Sequence, residues 1–361
     1  MILYLTYSAD GNRGGEIIHR CIHKYLKDHY RDVSPSIIPK LTNKMCNPLY
    51  NALYNALLIF KAKPKILVVD VSSAFRSILA VYLMRLRKQQ VMVAIFGERE
   101  DYRSNLFIVK WIARKCEKLM LRNASVVLVL SEFLRKTVET VVDPSTPIVI
   151  AKPGIDFTTD ESQARTLQNQ SGDRNFELLF VGECEYRKGL AFLVEAAGIL
   201  KNENIHINVV GNYSFDNRYF TDICRFIKQE RLESKISFLG FMEKDQLMKL
   251  YSSSDLFVLP SLTEGFGLVL AEAIHFGLPI VATNVSAIPE LIVDEVNGLL
   301  VQPGNASSLA DGIMRIMKDK DLRGSMREAN LKYSKALPSW NSFNKTLDAK
   351  LNPILFELTN S

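Results

Sequence analysis

Two glutamates, Glu264 and Glu272, close a stretch that reads Ser261-Leu-Thr-Glu264-Gly265-Phe266-Gly267-Leu268-Val-Leu-Ala-Glu272. Carboxylates in such a pair either work as acid and base on one bond or grip two ends of a longer polar ligand. A glycosidase pair flanks one bond at about 5 to 9.5 Å. Eight residues of helix rise about 12 Å, and the part before Gly267 is more extended, so the pair suits two ends. The residues between them suit a phosphate. Glycine lets the backbone come close, and a helix opening near Gly267 offers unpaired amides to an anion.

The neighbouring segments must hold that stretch in place. Asp255-Leu-Phe-Val-Leu-Pro260 reads as a buried strand, and the helix from Leu268 to Phe276 is stopped by Gly277-Leu-Pro279. Strand, glycine elbow and helix form the unit of a doubly wound sheet, whose ligands bind outside the carboxyl ends of the strands. The rest of the chain repeats the pattern. In the first half, Met1–Tyr7, Lys65–Val71, Val91–Phe96, Ser125–Leu130 and Pro147–Ala151 are short and rich in Val, Ile and Leu, with helix-length patterns between them. A second glycine elbow, holding Gly14 and Gly15, precedes a helix from Ile17 to Lys27; it lacks the G-x-G-x-x-G spacing of dinucleotide-binding turns. A polar stretch without periodicity, 158–175, reads as a linker. Beyond it a second series begins, with strands at Glu177–Val181, His206–Val210, Lys235–Leu239, Leu256–Leu259, Pro279–Ala282 and Gly298–Val301. The expected organisation is a first domain over 1–157, completed by 340–361, and a second over 176–339.

At 361 residues the chain suits two α/β domains. No apolar run approaches the roughly 18 residues of a membrane span, and the apolar start lacks the features of a signal peptide. Five scattered cysteines without a C-x-x-C pair indicate neither disulfides nor zinc, which leaves a reducing cytoplasm as the default location. His19 and His23 have a metal-ligand spacing but no third ligand beside them. Charge is divided unevenly: residues 1–157 carry 24 Lys+Arg against 13 Asp+Glu, and the remainder 21 against 26. In the helix from Asn105 to Arg122, Lys110, Arg114, Lys118 and Arg122 recur on one face, and Leu106, Val109, Ile112, Cys116 and Leu119 fill the other. Residues 74–88 end in Arg85, Arg87 and Lys88. These are either solvated faces over a buried side or a surface that holds the protein peripherally against anionic lipid on the inner face of the membrane.

Five segments in order, Phe180-Val-Gly182 with Lys188-Gly189, Val210-Gly211-Asn212, Phe238-Leu-Gly240, the Glu264 to Glu272 elbow, and Gly277-Leu-Pro-Ile-Val-Ala-Thr283, resemble the retaining nucleotide-sugar glycosyltransferases of family 4. The resemblance implies the GT-B fold, two facing Rossmann-like α/β domains with a C-terminal helix crossing back to the first. It implies transfer of a sugar from a UDP- or GDP-sugar to a glycan, lipid-linked or phosphorylated acceptor, without a metal, other cofactor or nucleic acid. Glu264 would hold the donor sugar, Phe266, Gly267 and Leu268 the diphosphate, and Glu272 the ribose. Lys188 would neutralise the leaving diphosphate. Gly182, Gly211, Asn212 and Gly265 fall within the donor-binding segments, and Phe241 and Met242 begin the loop that reads the base. Gly14 and Gly15 match the first-domain loop that closes on donor and acceptor, and Trp340 the start of the segment that crosses back.

Two departures stand out. Relatives usually carry arginine directly after the Phe-Val-Gly segment, where this chain has Glu183, so Arg187 is the candidate second cation. Many place a histidine in the acceptor-side loop at Phe96-Gly97-Glu98-Arg99, and here Arg99 or Arg103 would contribute instead. The substitution at Glu183 favours one alternative, a non-catalytic nucleotide- or partner-binding member of the fold; a nucleotide-sugar epimerase of similar two-domain shape is a third reading.

Overall fold

The computed structural model describes residues 2–6, 14–30, 33–37, 64–70, 74–95, 107–155, 174–213 and 217–360. Two compact units make up the chain: Met1–Gly154 with Pro338–Ser361, and Ile155–Leu337. The expected linker lies almost wholly outside the described residues, as do Arg99 and Arg103. No helix among the described residues is long and apolar enough to cross a membrane.

The first unit holds a parallel six-stranded sheet. Its strands are β1 (Ile2–Thr6), β2 (Val33–Ile37), β3 (Ile66–Asp70), β4 (Gln90–Ile95), β5 (Val126–Val129) and β6 (Ile148–Ile150), in the order β2-β1-β3-β4-β5-β6. Strands β3, β4 and β5 are buried almost throughout, which is why they read as unbroken apolar runs rather than alternating ones. Strand β2 was not anticipated. Its sequence Val-Ser-Pro-Ser-Ile carries a proline, which an edge strand tolerates because one side needs no ladder donor. Gly14 and Gly15 form the first turn of helix Gly14–His29, not a loop before it.

Helix Phe107–Arg122 also departs from expectation. Ala113, Met120 and Leu121 are buried, whereas Leu119 is 46% exposed beside Trp111 at 53%. The expected stripe ran at intervals of three and four through Leu119; the core contact instead selects the adjacent register, so an apolar residue faces out among the cations. The C-terminal segment packs on this unit. Helix Trp340–Thr346, a π turn at Leu347–Leu351 and helix Asn352–Asn360 follow one another through Pro353 without a break. Pro353 sits in a first turn, where its missing N–H costs least. Tyr25 and Tyr30 donate to Asp348 and Asn352 across 2.7 and 2.5 Å. Gly154 permits the contact at its start, since a Cβ there would lie 2.1 Å from the Trp340 amide nitrogen.

The second unit holds another parallel sheet: β7 (Phe176–Val181), β8 (Ile205–Val210), β9 (Ile236–Gly240), β10 (Leu256–Leu259), β11 (Ile280–Thr283) and β12 (Leu299–Val301). Their order is β12-β11-β10-β7-β8-β9. The chain builds outward from β7 through β8 and β9, then returns to the other side of β7 with β10. The switch point therefore falls between β7 and β10, and a crevice opens there at the carboxyl ends of both strands.

The loops that leave those two strands touch. Gly189 (φ 72°) ends the turn after β7, and a Cβ on it would lie 1.9 Å from the carbonyl oxygen of Pro260 after β10. Gly189→Ala is expected to cost about 3 kcal/mol or more. By contrast Gly324, in the open interior of helix Lys320–Ser334, should gain about 0.5–1 kcal/mol as alanine. Urea unfolding of both variants measures this; equal effects would contradict the packing described.

Candidate active site

The turn after β7 runs Gly182-Glu183-Cys184-Glu185-Tyr186-Arg187-Lys188 and feeds helix Leu190–Ile199. Gly182 donates to Val210 across 2.9 Å, Gly211 donates to Gly240 across 2.9 Å, and Cys184 donates to the carbonyl of Asn212 across 3.1 Å. Gly211 has to be glycine, because a Cβ would sit 1.9 Å from the Gly182 carbonyl oxygen. These bonds gather the ends of β7, β8 and β9 into one rim. Phe241, just beyond β9, is 58% exposed on it, with Met242 half-buried.

Across the crevice the elbow after β10 is buried from Thr263 to Gly267. Leu262 donates to the carbonyl of Arg187 across 2.7 Å, which fastens one loop to the other. At that seam Lys188 donates to Glu264, in a buried ion pair. Ser261 Oγ donates to the same carboxylate oxygen, Oε1, across 3.1 Å. Burial opposes ionisation of Glu264, but Lys188, Arg187 and the Ser261 hydroxyl outweigh it and hold the carboxyl below its ordinary value. Burial, with Arg187 beside it, pulls Lys188 below its ordinary value, and Glu264 works against that loss. The ammonium has three N–H donors, so the pair leaves donors for a ligand. Arg187 bonds to Glu185 across 2.9 Å.

Gly267 (φ 89°) caps helix Leu268–His275 in the left-handed region, while Phe266 turns its ring into the core. The first-turn amides of such a helix have no partner within it. Glu272 follows on that helix and accepts from the Tyr251 hydroxyl across 2.8 Å. Tyr251 is fully buried and stacks on Phe276 at 5.3 Å. Burial pushes the Glu272 carboxyl up to about 7, against the pull of Tyr251 and Lys244.

Sequence reasoning missed Ser261 and Tyr251. The first could have been noticed, because it stands three residues before Glu264; the second carried only a core signal. His19, considered as a metal ligand, lies 3.4 Å from Asp70 at the end of β3. Among the described residues no cluster could hold a metal ion.

Residues 163–333 match the glycosyl transferases group 1 family. An uncharacterized glycosyltransferase of Methanocaldococcus jannaschii is 39% identical over 147 residues, covering 40% of this chain and 37% of the relative. The D-inositol 3-phosphate glycosyltransferase of Paenarthrobacter aurescens is 31% identical over 187 residues, covering 50% and 45%. The chain thus aligns with less than half the length of either relative. In solved structures the whole chain is matched by sucrose-phosphate synthase from Thermosynechococcus elongatus, with a TM-score of 0.79, 20% identity and 99% coverage of both chains. Anabaena HepE in complex with UDP and glucose matches with a TM-score of 0.76, 19% identity, and 98% and 99% coverage. The fold is therefore GT-B, with two Rossmann-like domains.

The Lys188–Glu264 pair has a stability signature. Lys188→Met, which strands a buried carboxylate, should cost about 3–5 kcal/mol, and the double change Lys188→Met/Glu264→Gln should recover most of it. Glu272 titrates the other way from Glu264: with its folded pKa above its unfolded value, its share of stability is present at low pH and is lost as pH rises through about 7. Glu272→Gln should flatten that decline in thermal melts between pH 5 and 8. Parallel pH profiles for the wild type and the variant would contradict the assignment.

Proposed function

We propose that the chain is a retaining glycosyltransferase that moves a sugar from a nucleoside-diphosphate sugar to a glycan, lipid-linked or phosphorylated acceptor. The observation that carries this reading is the buried Lys188–Glu264 pair at the β7/β10 switch point, beside the opening turn of helix Leu268–His275. Lys188 donates to the diphosphate, held in place by its bond to Glu264. Arg187 acts as the second cation, in place of the arginine whose usual position holds Glu183. The amides of Phe266, Gly267 and Leu268 meet the remaining phosphate oxygens. Glu264 Oε2 accepts from sugar hydroxyls, and Glu272, steadied by Tyr251, accepts from the ribose. Gly182, Gly211, Asn212 and Gly265 line the backbone approach, and Phe241 and Met242 border the base. UDP is the favoured nucleotide to test first, since HepE was solved with UDP-glucose and TarM with UDP and α-GlcNAc-glycerol.

Chemistry follows from that arrangement. The bond from the anomeric carbon to the diphosphate oxygen lengthens while Lys188, Arg187 and the helix amides take up the charge. An acceptor hydroxyl bonds to the same face of that carbon, and its proton passes to the departing diphosphate oxygen. Configuration is retained without a protein nucleophile. Cations of the chain carry the charge in this scheme, so no metal is assigned.

A second reading, a non-catalytic nucleotide binder, is favoured by Glu183 alone. Labelled UDP- and GDP-sugars that raise the melting temperature should be offered with candidate acceptors. Turnover with retained anomeric configuration by NMR, lowered about 10²-fold or more by Lys188→Ala or Glu264→Ala, is expected. Binding without transfer or hydrolysis in the wild type would favour the second reading, and conversion of the donor sugar without acceptor would point to an epimerase.

A further inference from the structure

The first unit carries an outward surface that neither donor binding nor the core requires. Helices Ala74–Leu86 and Phe107–Arg122 pack side by side. They connect β3 to β4 and β4 to β5, successive strands laid down in one direction, so both crossovers lie on the same face of the sheet and run parallel. Their carboxyl ends are therefore neighbours. Four large apolar side chains stand in solvent on this layer: Tyr82 at 55%, Leu86 at 64%, Trp111 at 53% and Leu119 at 46%. Around them Arg85, Lys88, Arg114, Lys115, Lys118 and Arg122 are also exposed. Lys115 reaches over the Trp111 ring at 5.5 Å.

Charge is one-sided across both helices. Residues 74–88 contain four Lys+Arg and no Asp+Glu, and residues 107–122 contain five and one. Some of these cations complement the negative ends of their helices, but that effect needs neither exposed tryptophan nor exposed leucine. A second copy of the same face would set cations against cations. A nucleic acid would satisfy the cations, yet its phosphates give Leu86 and Leu119 no apolar phase to enter. A bilayer with anionic headgroups satisfies both: cations sit at the phosphates, Trp and Tyr at the headgroup boundary, and leucines just beneath.

We infer that the outward face of these two helices, centred on Leu86, Trp111 and Leu119, docks the protein peripherally on an anionic membrane. The inference stands apart from the donor site, since it concerns a surface on a different unit. It would place a glycosyltransferase at the surface where a lipid-linked acceptor resides.

The full chain is tested by co-sedimentation with phosphatidylcholine vesicles with and without phosphatidylglycerol. Binding should require the anionic lipid and weaken as salt is raised. Lys115→Glu/Lys118→Glu/Arg122→Glu should lower the partition coefficient at least about tenfold. Trp111→Ser/Leu119→Ser should lower it as well, with circular dichroism melts unchanged for both variants because all five side chains are exposed. The chain has two tryptophans, so a Trp340→Phe background isolates Trp111, whose emission should shift to the blue on anionic vesicles. Absence of binding, binding indifferent to the charge reversals, or an unshifted Trp111 spectrum would overturn the inference. So would duplex DNA binding that loses affinity with the charge variant and not with the apolar one, which marks a polyanion site instead. Donor binding by thermal shift, measured on the same variants, should be unaltered.

Discussion

A lysine and a glutamate, both largely shielded from water, face each other across the seam between two loops, and much of the second unit is arranged so that they can. Neither charge is tolerable there alone. The seam exists because β10 is laid beside β7 only after β8 and β9 have been built on the other side. That topology leaves the carboxyl ends of β7 and β10 adjacent while their following helices diverge. Gly189 then brings its loop against the Pro260 carbonyl, and the Leu262 amide bonds to the Arg187 carbonyl. The ion pair is the polar consequence of this close approach. A buried pair is a poor source of stability compared with apolar packing, so its presence is better explained by a ligand that needs both charges.

Glu272 is held differently. It lies a few turns into its helix, fixed by a buried tyrosine rather than by a cation, and its carboxyl is pushed up to about 7 by burial. Two carboxylates in one short stretch thus have opposite electrostatic fates. The difference comes from what each faces: an ammonium at Glu264 and a phenol at Glu272. Opposite shifts alone would also suit an acid and a base on one bond; the length of the elbow between the two residues is what favours separate ends of a ligand.

Much of this was legible in the residues. Strand runs rich in Val, Ile and Leu marked the central strands, because a sheet covered on both faces needs no polar alternation. The glycines at 182, 189, 211 and 267 marked places where backbone approaches backbone or turns left-handed. What could not be read was contact between distant segments. Lys188 and Glu264 are far apart in sequence, and nothing in either segment names the other; nor does the core pattern around Tyr251 disclose its bond to Glu272. Strand β2 was hidden by Pro35, which disqualifies a central strand but not an edge. Helix Phe107–Arg122 was assigned its face by periodicity alone, and the sheet chose the neighbouring register, leaving Leu119 outside.

The central claim is that the elbow spans a ligand, with Glu264 at the sugar, Lys188 at the diphosphate and Glu272 at the ribose. Calorimetric titration of the wild type, Glu264→Gln and Glu272→Gln with UDP and with the UDP-sugar that binds tests it most directly. Glu264→Gln should keep the affinity for UDP and lose the increment that the sugar adds, while Glu272→Gln should weaken UDP and UDP-sugar by the same factor. Equal losses on both ligands from Glu264→Gln, or a sugar-specific loss from Glu272→Gln, would contradict it.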